Sequence, residues 1–471
     1  MFFISVSGRK LKKGLIALTL LVFTFVILCP RGQVIAISLS EEKDLGKKFV
    51  RLIHKSMPFV EDGEVLTYVR NIGNRVAKEV GITTYQFQFF VVDAPVPNAF
   101  AVPGGYIFIY RGLIEMMSSE GELASILAHE LGHITARHLQ RSIDEAKILS
   151  IGMVAGMVAG ILLGAPGLAI GGVAGAQTAA LQYSRVHETE ADMRGFGYLC
   201  EAGYDPAEMP SMMQKLMDCT WLQNSTLPSY LSTHPAVGER VQYLNEMVKK
   251  RKVSSRKTVE PPSGDFQVMQ ATLIADYADP TIAFNRFQEG IKKGDNAAVF
   301  GLGRLYLRQN QWSKAVEQLR QAAHLMPTSP FVLSSLGDAY HRAGKLQEAQ
   351  NTLESALMID PSSSIADFRL ALVLMDMGKK DEALEHLMRI EELAPMFPEV
   401  DYQLGVILGQ ADKLGSAHFH LGRYYFHKDN TELAIMHFKK AKSLITDSPS
   451  ELNEINEDLK ELDPKKKGFF S

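Results

Sequence analysis

SEGELASILAHELGHITARHLQ (Ser119–Gln140) decides how the first half of this 471-residue chain is read. Ser119, followed three residues later by Glu122, is a capping-box start for a helix. Leu123, Ile126, Leu127, Leu131 and Ile134 then recur at helical spacing. Within that helix stands His129-Glu130-Leu131-Gly132-His133. Residues four apart on a helix share one face, so both imidazoles can reach one metal ion. Glu130, beside the first histidine, is placed to take a proton from a water on that metal. Zinc suits two imidazoles and lowers the pKa of such a water to about 7. The chain has 13 histidines, so a chance His-Glu-x-x-His is expected about twice in a hundred such sequences. The apolar setting argues against a solvated polar face, and buried His and Glu need partners. His138 lies outside the motif and reads as a surface histidine.

A catalytic zinc needs a third protein ligand and an open position. Ser184-Arg185-Val186-His187-Glu188-Thr189-Glu190-Ala191-Asp192 is a second helical stretch, with Glu188 and Asp192 four apart on one face. One carboxylate can bind the metal while the other orients a ligating histidine. Spacing alone also admits His187 or Glu190 as the ligand.

Upstream, Tyr85–Val92 (YQFQFFVV) is rich in strand formers. Asn98–Val102, Pro103-Gly104-Gly105 and Tyr106–Tyr110 read as a hairpin. A strand edge just before a metal helix, at Asn98, Ala99 and Phe100, can hold an extended substrate by main-chain pairing. An ordinary core hairpin has the same pattern.

The second half repeats. Pro327, Pro361 and Pro395 are 34 residues apart, as are Gly303, Gly337, Ala371 and Gly405, each preceded by leucine. Tyr306 and Tyr340 keep the period, and so do Ala315, Ala349 and Ala383. This is the tetratricopeptide pattern: a small residue for close helix approach, an aromatic filler and a terminating proline. The register then slips by 17 residues, half a unit, at Leu421-Gly422 and Tyr425. About four repeats are expected. Such solenoids offer concave surfaces to peptide or protein partners.

Composition sets the outer limits. Hydrophobic residues are 46% and the formal charge is −3, which disfavours a nucleic-acid partner and a disordered chain. Three cysteines are too few for a disulfide scaffold. Arg9, Lys10, Lys12, Lys13 and Arg31 are the only charges before Ile37, and without them the −3 becomes −8. The basic start, the apolar run Gly14–Leu28 and Val34-Ile35-Ala36 form an export-signal pattern with cleavage after Ala36; an uncleaved anchor would share it. Export would let Cys200 and Cys219 pair, and two buried thiols are the alternative. Ile151–Ala176 is apolar and uncharged but broken by Gly164, Pro166 and Gly167. It fits two short apolar helices, packed beside the active site or touching a membrane surface, better than one span.

HELGH, Glu188-x-x-x-Asp192 after a Gly/Ala-rich insertion, Asn98–Gly105 before it, and His234-Pro235 with Arg240 after it together resemble HtpX/CAAX-prenyl-protease-type zinc metallopeptidases. With the repeats and the export signal, the pattern is similar to the periplasmic β-barrel assembly-enhancing proteases. That resemblance covers nearly the whole mature chain. It implies a mainly α fold: a gluzincin-like HExxH domain with a small β-hairpin or sheet, followed by a tetratricopeptide α-solenoid. It implies one zinc ion per chain, held by His129, His133 and Glu188, with Glu130 as general base and acid. Asp192 would support a ligating histidine, His234 would be a reversible fourth ligand that keeps the site latent, and Arg240 would support the site. It also implies a periplasmic location, unfolded or misassembled outer-membrane proteins as clients, and their assembly machinery as partner.

The expected layout is a signal over 1–36, a metallopeptidase domain over 37–258, a linker over 259–279, repeats over 280–447 and a charged, fraying tail over 448–471. Two rival functions remain at this level: a chaperone or scaffold with a latent metal site, and a membrane-anchored peptidase.

Overall fold

The computed structural model describes residues 39–145, 184–222, 229–251, 265–393, 398–428, 430–446 and 448–462. The leader and the Gly-rich insertion lie outside the described residues. The chain divides into two compact units, Met1–Ala278 and Asp279–Ser471.

The first unit is built on a three-stranded sheet: β1 (Gln88–Val92), β2 (Ala99–Val102) and β3 (Tyr106–Tyr110), in the order β1-β3-β2. β2 and β3 form the expected antiparallel hairpin. Gly104 (φ 88°) and Gly105 (φ 96°) turn it in the left-handed region that glycine enters without steric cost. β1 runs parallel to β3, with Phe90 opposite Phe108. Phe108 is stacked by Phe90 and Phe100, with ring centroids 5.0 and 4.9 Å away. Leu45, Phe49 and Ile53 of the helix Leu39–Ser56 complete that cluster.

The helix Glu120–Thr135 crosses this unit and is buried from Glu120 to Ile134. It packs on β2, β3 and the helices Gly63–Ala77, Arg185–Glu201 and Glu208–Leu222. A helix buried all round has to partner every polar side chain it carries. Its start follows the sequence expectation with one change. Ser119 Oγ accepts from Glu122 N (3.1 Å), but Glu122 reaches back to Ser118 N (2.7 Å), one residue early, and is also bound by Lys215.

Two segments differ from the expected layout. The stretch 259–279, expected as a linker, contains the helix Asp265–Tyr277, whose Phe266, Val268, Met269 and Leu273 are buried. It belongs to the first unit: Gln270 donates to the carbonyls of Ile114 and Met117, and the Tyr277 hydroxyl accepts from the amides of Glu61 and Asp62. The Pro/Gly signal therefore lies before this helix, and its apolar face was outweighed by that punctuation. Cys200 is a buried free thiol, which burial pushes up to about 11; the side chain of Cys219 lies outside the described residues. No described helix is long and apolar enough to cross a membrane.

The second unit stacks antiparallel helix pairs: Asn296–Arg308 with Trp312–Leu325, Pro330–Arg342 with Leu346–Ile359, Ser364–Asp376 with Lys380–Leu393, and Pro398–Gln410 with Leu414–His427. The small residue at each period is set by its neighbour. A Cβ on Gly303 would stand 2.7 Å from Leu319 Cγ, on Gly337 2.5 Å from Leu353 Cγ and on Gly405 2.7 Å from Leu421 Cγ. The half-unit slip has a structural cause. Leu414–His427 closes one pair and opens the next against Thr431–Leu444, where Gly422 lies under Phe438 as Gly405 lies under Leu421.

The tail does not fray throughout. Pro449–Leu462 is a helix that buries Ile455 and Leu462 against Phe419, Ala434, Phe438 and Ala441. On it, burial followed by Glu454 and Glu461 raises the Asp458 carboxyl to about 6. A carboxyl raised above its unfolded value adds stability below the unfolded pKa, and that stability is lost as pH rises through the folded one. Asp458→Asn is expected to stabilise this helix by about 1 kcal/mol at pH 8, after allowing for solvent screening, and to do little at pH 4. Hydrogen exchange of the helix amides at the two pH values checks it; equal protection of both proteins at pH 8 would refute it.

Candidate metal centre

Two helices bring the chemistry together. Glu120–Thr135 carries His129, Glu130 and His133, while Arg185–Glu201, started by Ser184 Oγ accepting from His187 N (3.1 Å), carries Glu188 and Asp192. They cross closely because each has a glycine at the contact. A Cβ on Gly132 would lie 2.5 Å from the Ala191 carbonyl oxygen, and one on Gly195 would lie 2.8 Å from that of Ala128. The crossing puts the Glu188 carboxylate 3.6 Å from His129 Nε2 and 3.4 Å from His133 Nε2.

A third segment closes the group. After the short helix Ser229–Thr233, His234 places Nδ1 3.0 Å from Glu188 Oε1 and 3.4 Å from His129 Nε2. His129, His133, Glu188 and His234 each offer one ligand-type atom, all within 4.8 Å of one another and all buried. Arg240, on Val237–Lys250, donates from Nε and Nη2 to Asp192 at 2.7 Å each and pairs with Glu188. Asp192 Oδ1 is 2.8 Å from His129 Nδ1.

The electrostatics follow from this packing. Burial alone would raise the Glu188 carboxyl, but His234 and Arg240 hold it well below the usual carboxylate range. Burial opposes ionisation of Asp192 too, and Arg240 and His129 overcome it. Burial pushes His133 well below the usual imidazole range, which favours the neutral ring that a metal requires. Burial raises Glu130, only partly offset by His234 and His129. Both Glu130 oxygens are buried without a hydrogen-bond partner among the described residues. The nearest imidazole nitrogen, His234 Nε2, stands at 3.7 Å. Three imidazoles, one ionised carboxylate and an adjacent unpaired carboxyl form a donor set that fits a metal ion with a water beside Glu130.

Of the residues left open by spacing, Glu188 lies inside the group. His187 and Glu190 lie outside it: His187 stacks on His138 at 4.4 Å, and Glu190 Oε2 is 3.2 Å from His138 Nε2. His138 is itself a correction. It is fully buried, with Nδ1 3.0 Å from His133 Nδ1, and burial pushes it down to about 4. Sequence reading also missed Tyr243, whose hydroxyl donates to Asp192, and Tyr230, whose ring stacks on His234 at 4.3 Å. Helical spacing carried both signals, since Tyr243 is three residues from Arg240 and Tyr230 four from His234. Asn98, Ala99 and Phe100 lie at or beside β2, the terminal strand of the sheet order. Their side chains are buried, and Asn98 Oδ1 accepts from Ala99 N at 3.0 Å.

The profile of peptidase family M48 matches residues 65–248, and tetratricopeptide profiles match 303–344, 340–402 and 415–447. The chain is 31% identical over 314 residues to the putative beta-barrel assembly-enhancing protease of Vibrio cholerae, covering 64% of each chain. It is 34% identical to the beta-barrel assembly-enhancing protease of Yersinia pestis, over 44% of this chain and 43% of that one. With the protein of that name from Escherichia coli the identity is 25%, over 70% and 72%. The matches thus span less than two thirds of the first two relatives.

Proposed function

We propose, for a chain that carries a peptidase family M48 domain followed by tetratricopeptide repeats, that it is an exported zinc-dependent endopeptidase of protein quality control. The observation that carries this is the convergence of His129, His133, Glu188 and His234 on one buried point beside Glu130, whose oxygens have no hydrogen-bond partner among the described residues. His129, His133 and Glu188 hold one zinc ion, and His234 is a reversible fourth group. Bound zinc supplies a Lewis acid and a nucleophilic water at neutral pH.

Glu130 takes the proton of the attacking water and passes it to the leaving amine. Asp192 accepts from His129 Nδ1 and so keeps the lone pair of Nε2 turned inward. Arg240 bridges Asp192 and Glu188, fixing two carboxylates that would otherwise repel. The outer edge of β2 at Asn98, Ala99 and Phe100 receives an extended segment by main-chain pairing, which accepts many sequences and so suits unfolded clients. The repeats recruit clients or partners. The relatives' names, beta-barrel assembly-enhancing proteases, support a role in β-barrel protein assembly, and the export-signal pattern supports the periplasm as location; in this reading the clients are misassembled outer-membrane proteins and the partner is their assembly machinery. Residues 151–176 are a candidate contact with the membrane surface.

The protein with zinc bound is expected to cleave unfolded casein, to stop on treatment with a chelator and to recover when zinc returns. His234→Ala should cleave several-fold faster, because His234 lies against both Glu188 and Glu130. A zinc-free protein without cleavage would sink the enzyme reading, and an unchanged rate in His234→Ala would remove the latch.

A further inference from the structure

We propose that His138 is a positioning residue that sets the tautomer of His133, and with it the affinity of the centre for zinc. This rests on the metal reading above and adds a residue to it. A ligating imidazole must turn a bare nitrogen to the metal, so its proton has to be held on the other nitrogen. For His129 the holder is Asp192, 2.8 Å from Nδ1. For His133 the group at Nδ1 is another imidazole, His138 Nδ1 at 3.0 Å.

Two ring nitrogens at that distance share one proton, so one donates and the other accepts. The far side of His138 settles which. His138 Nε2 is 3.2 Å from Glu190 Oε2, and an ionised carboxylate only accepts. Glu190 is itself anchored by Arg141 and Arg194, each at 2.8 Å. The proton of His138 therefore sits on Nε2, and its Nδ1 accepts from His133. That leaves the lone pair of His133 Nε2 facing His129 Nε2 at 3.0 Å and Glu188 Oε1 at 3.4 Å, where the metal reading needs it. His187, stacked on the ring of His138, holds its plane.

The backbone explains how His138 reaches this place. Five residues on one straight helix would set His138 about 140° around from His133. Instead the helix ends at Thr135 and Arg137 adopts φ 55°, in the left-handed region. The helix His138–Glu145 then starts, with its first side chain against His133.

Zinc dissociation constants measured by competition with a chromophoric chelator test this, on the full chain, with thermal melts to confirm folding. His138→Ala and His138→Gln are expected to weaken zinc by about 10- to 100-fold. His138→Asn keeps an acceptor near the place of Nδ1 and is expected to stay within about threefold of wild type. Glu190→Ala removes the outer acceptor and is expected to weaken zinc by about 3- to 10-fold with an unchanged melt, so it tests the chain of bonds even if His138→Ala does not fold. Wild-type affinity in a folded His138→Ala, or in Glu190→Ala if that variant alone folds, overturns the inference. So does a loss in His138→Asn as large as in His138→Ala, because packing rather than the acceptor would then be at work. Failure of the wild type to bind zinc is a different outcome and sinks the metal reading itself.

Discussion

Glu130→Gln is expected to reduce peptide cleavage by about 10²- to 10⁴-fold while leaving zinc binding unchanged. The substitution keeps the shape of the side chain and removes only its ability to take a proton. Glu130 is outside the group of four ligand-type atoms, so those atoms stay where they are. The fold should not suffer and should gain slightly. Glu130 is fully buried, neither of its oxygens has a hydrogen-bond partner among the described residues, and burial disfavours its charged form, so a neutral amide of the same volume avoids the cost of burying that charge. Casein cleavage, bound zinc and the melting curve of the two proteins check the three parts together. Residual cleavage within tenfold of wild type would remove Glu130 from the reaction. A cell in which Glu130→Gln performs as well as wild type would favour a scaffold with an idle metal site.

The second large effect is expected at Gly132. In Gly132→Ala the new methyl would stand 2.5 Å from the carbonyl oxygen of Ala191, a backbone atom of a fully buried residue. The helices Glu120–Thr135 and Arg185–Glu201 must then move apart. Overpacking of this kind costs about 2–4 kcal/mol. The separation also draws Glu188 and Asp192 away from the two histidines, so zinc binding should fall by more than tenfold along with stability. Gly197→Ala is the control: it lies on the partner helix Arg185–Glu201, and its Cβ would meet nothing within 4 Å. There alanine is expected to leave zinc binding alone and to stabilise by about 0.5–1 kcal/mol through helix propensity. Equal melts and equal zinc affinity for Gly132→Ala and wild type would show that the close crossing does not set the site.

The leucine of HELGH is an ordinary core residue. The glycine is a condition of the site, because it lets a second backbone pass beside the metal helix. That role could not be read from the motif, since it depends on Ala191, 59 residues further on. The linker helix Asp265–Tyr277 was hidden for a related reason. Its apolar residues look unremarkable beside the charged and proline-bearing run before them, and only the carbonyls of Ile114 and Met117 and the amides of Glu61 and Asp62 show what it packs against.

Local periodicity determined much of this protein. The spacing of four put His129 and His133 on one helix face, the 34-residue period laid out the repeats, and Pro103-Gly104-Gly105 turned the hairpin. Each of these is a short-range rule, in which the backbone geometry of one element fixes which side chains are neighbours. Tertiary structure alone decided which acid joins the pair, Glu188 rather than Glu190, and what stands behind each ring, Asp192 for His129 and His138 for His133. It also decided the parallel pairing of β1 with β3 and the double duty of Leu414–His427. Neighbouring residues of one helix can point to opposite sides of a crossing. Their roles are assigned only when the partner helix arrives, and in this chain a pair of glycines sets how near it comes.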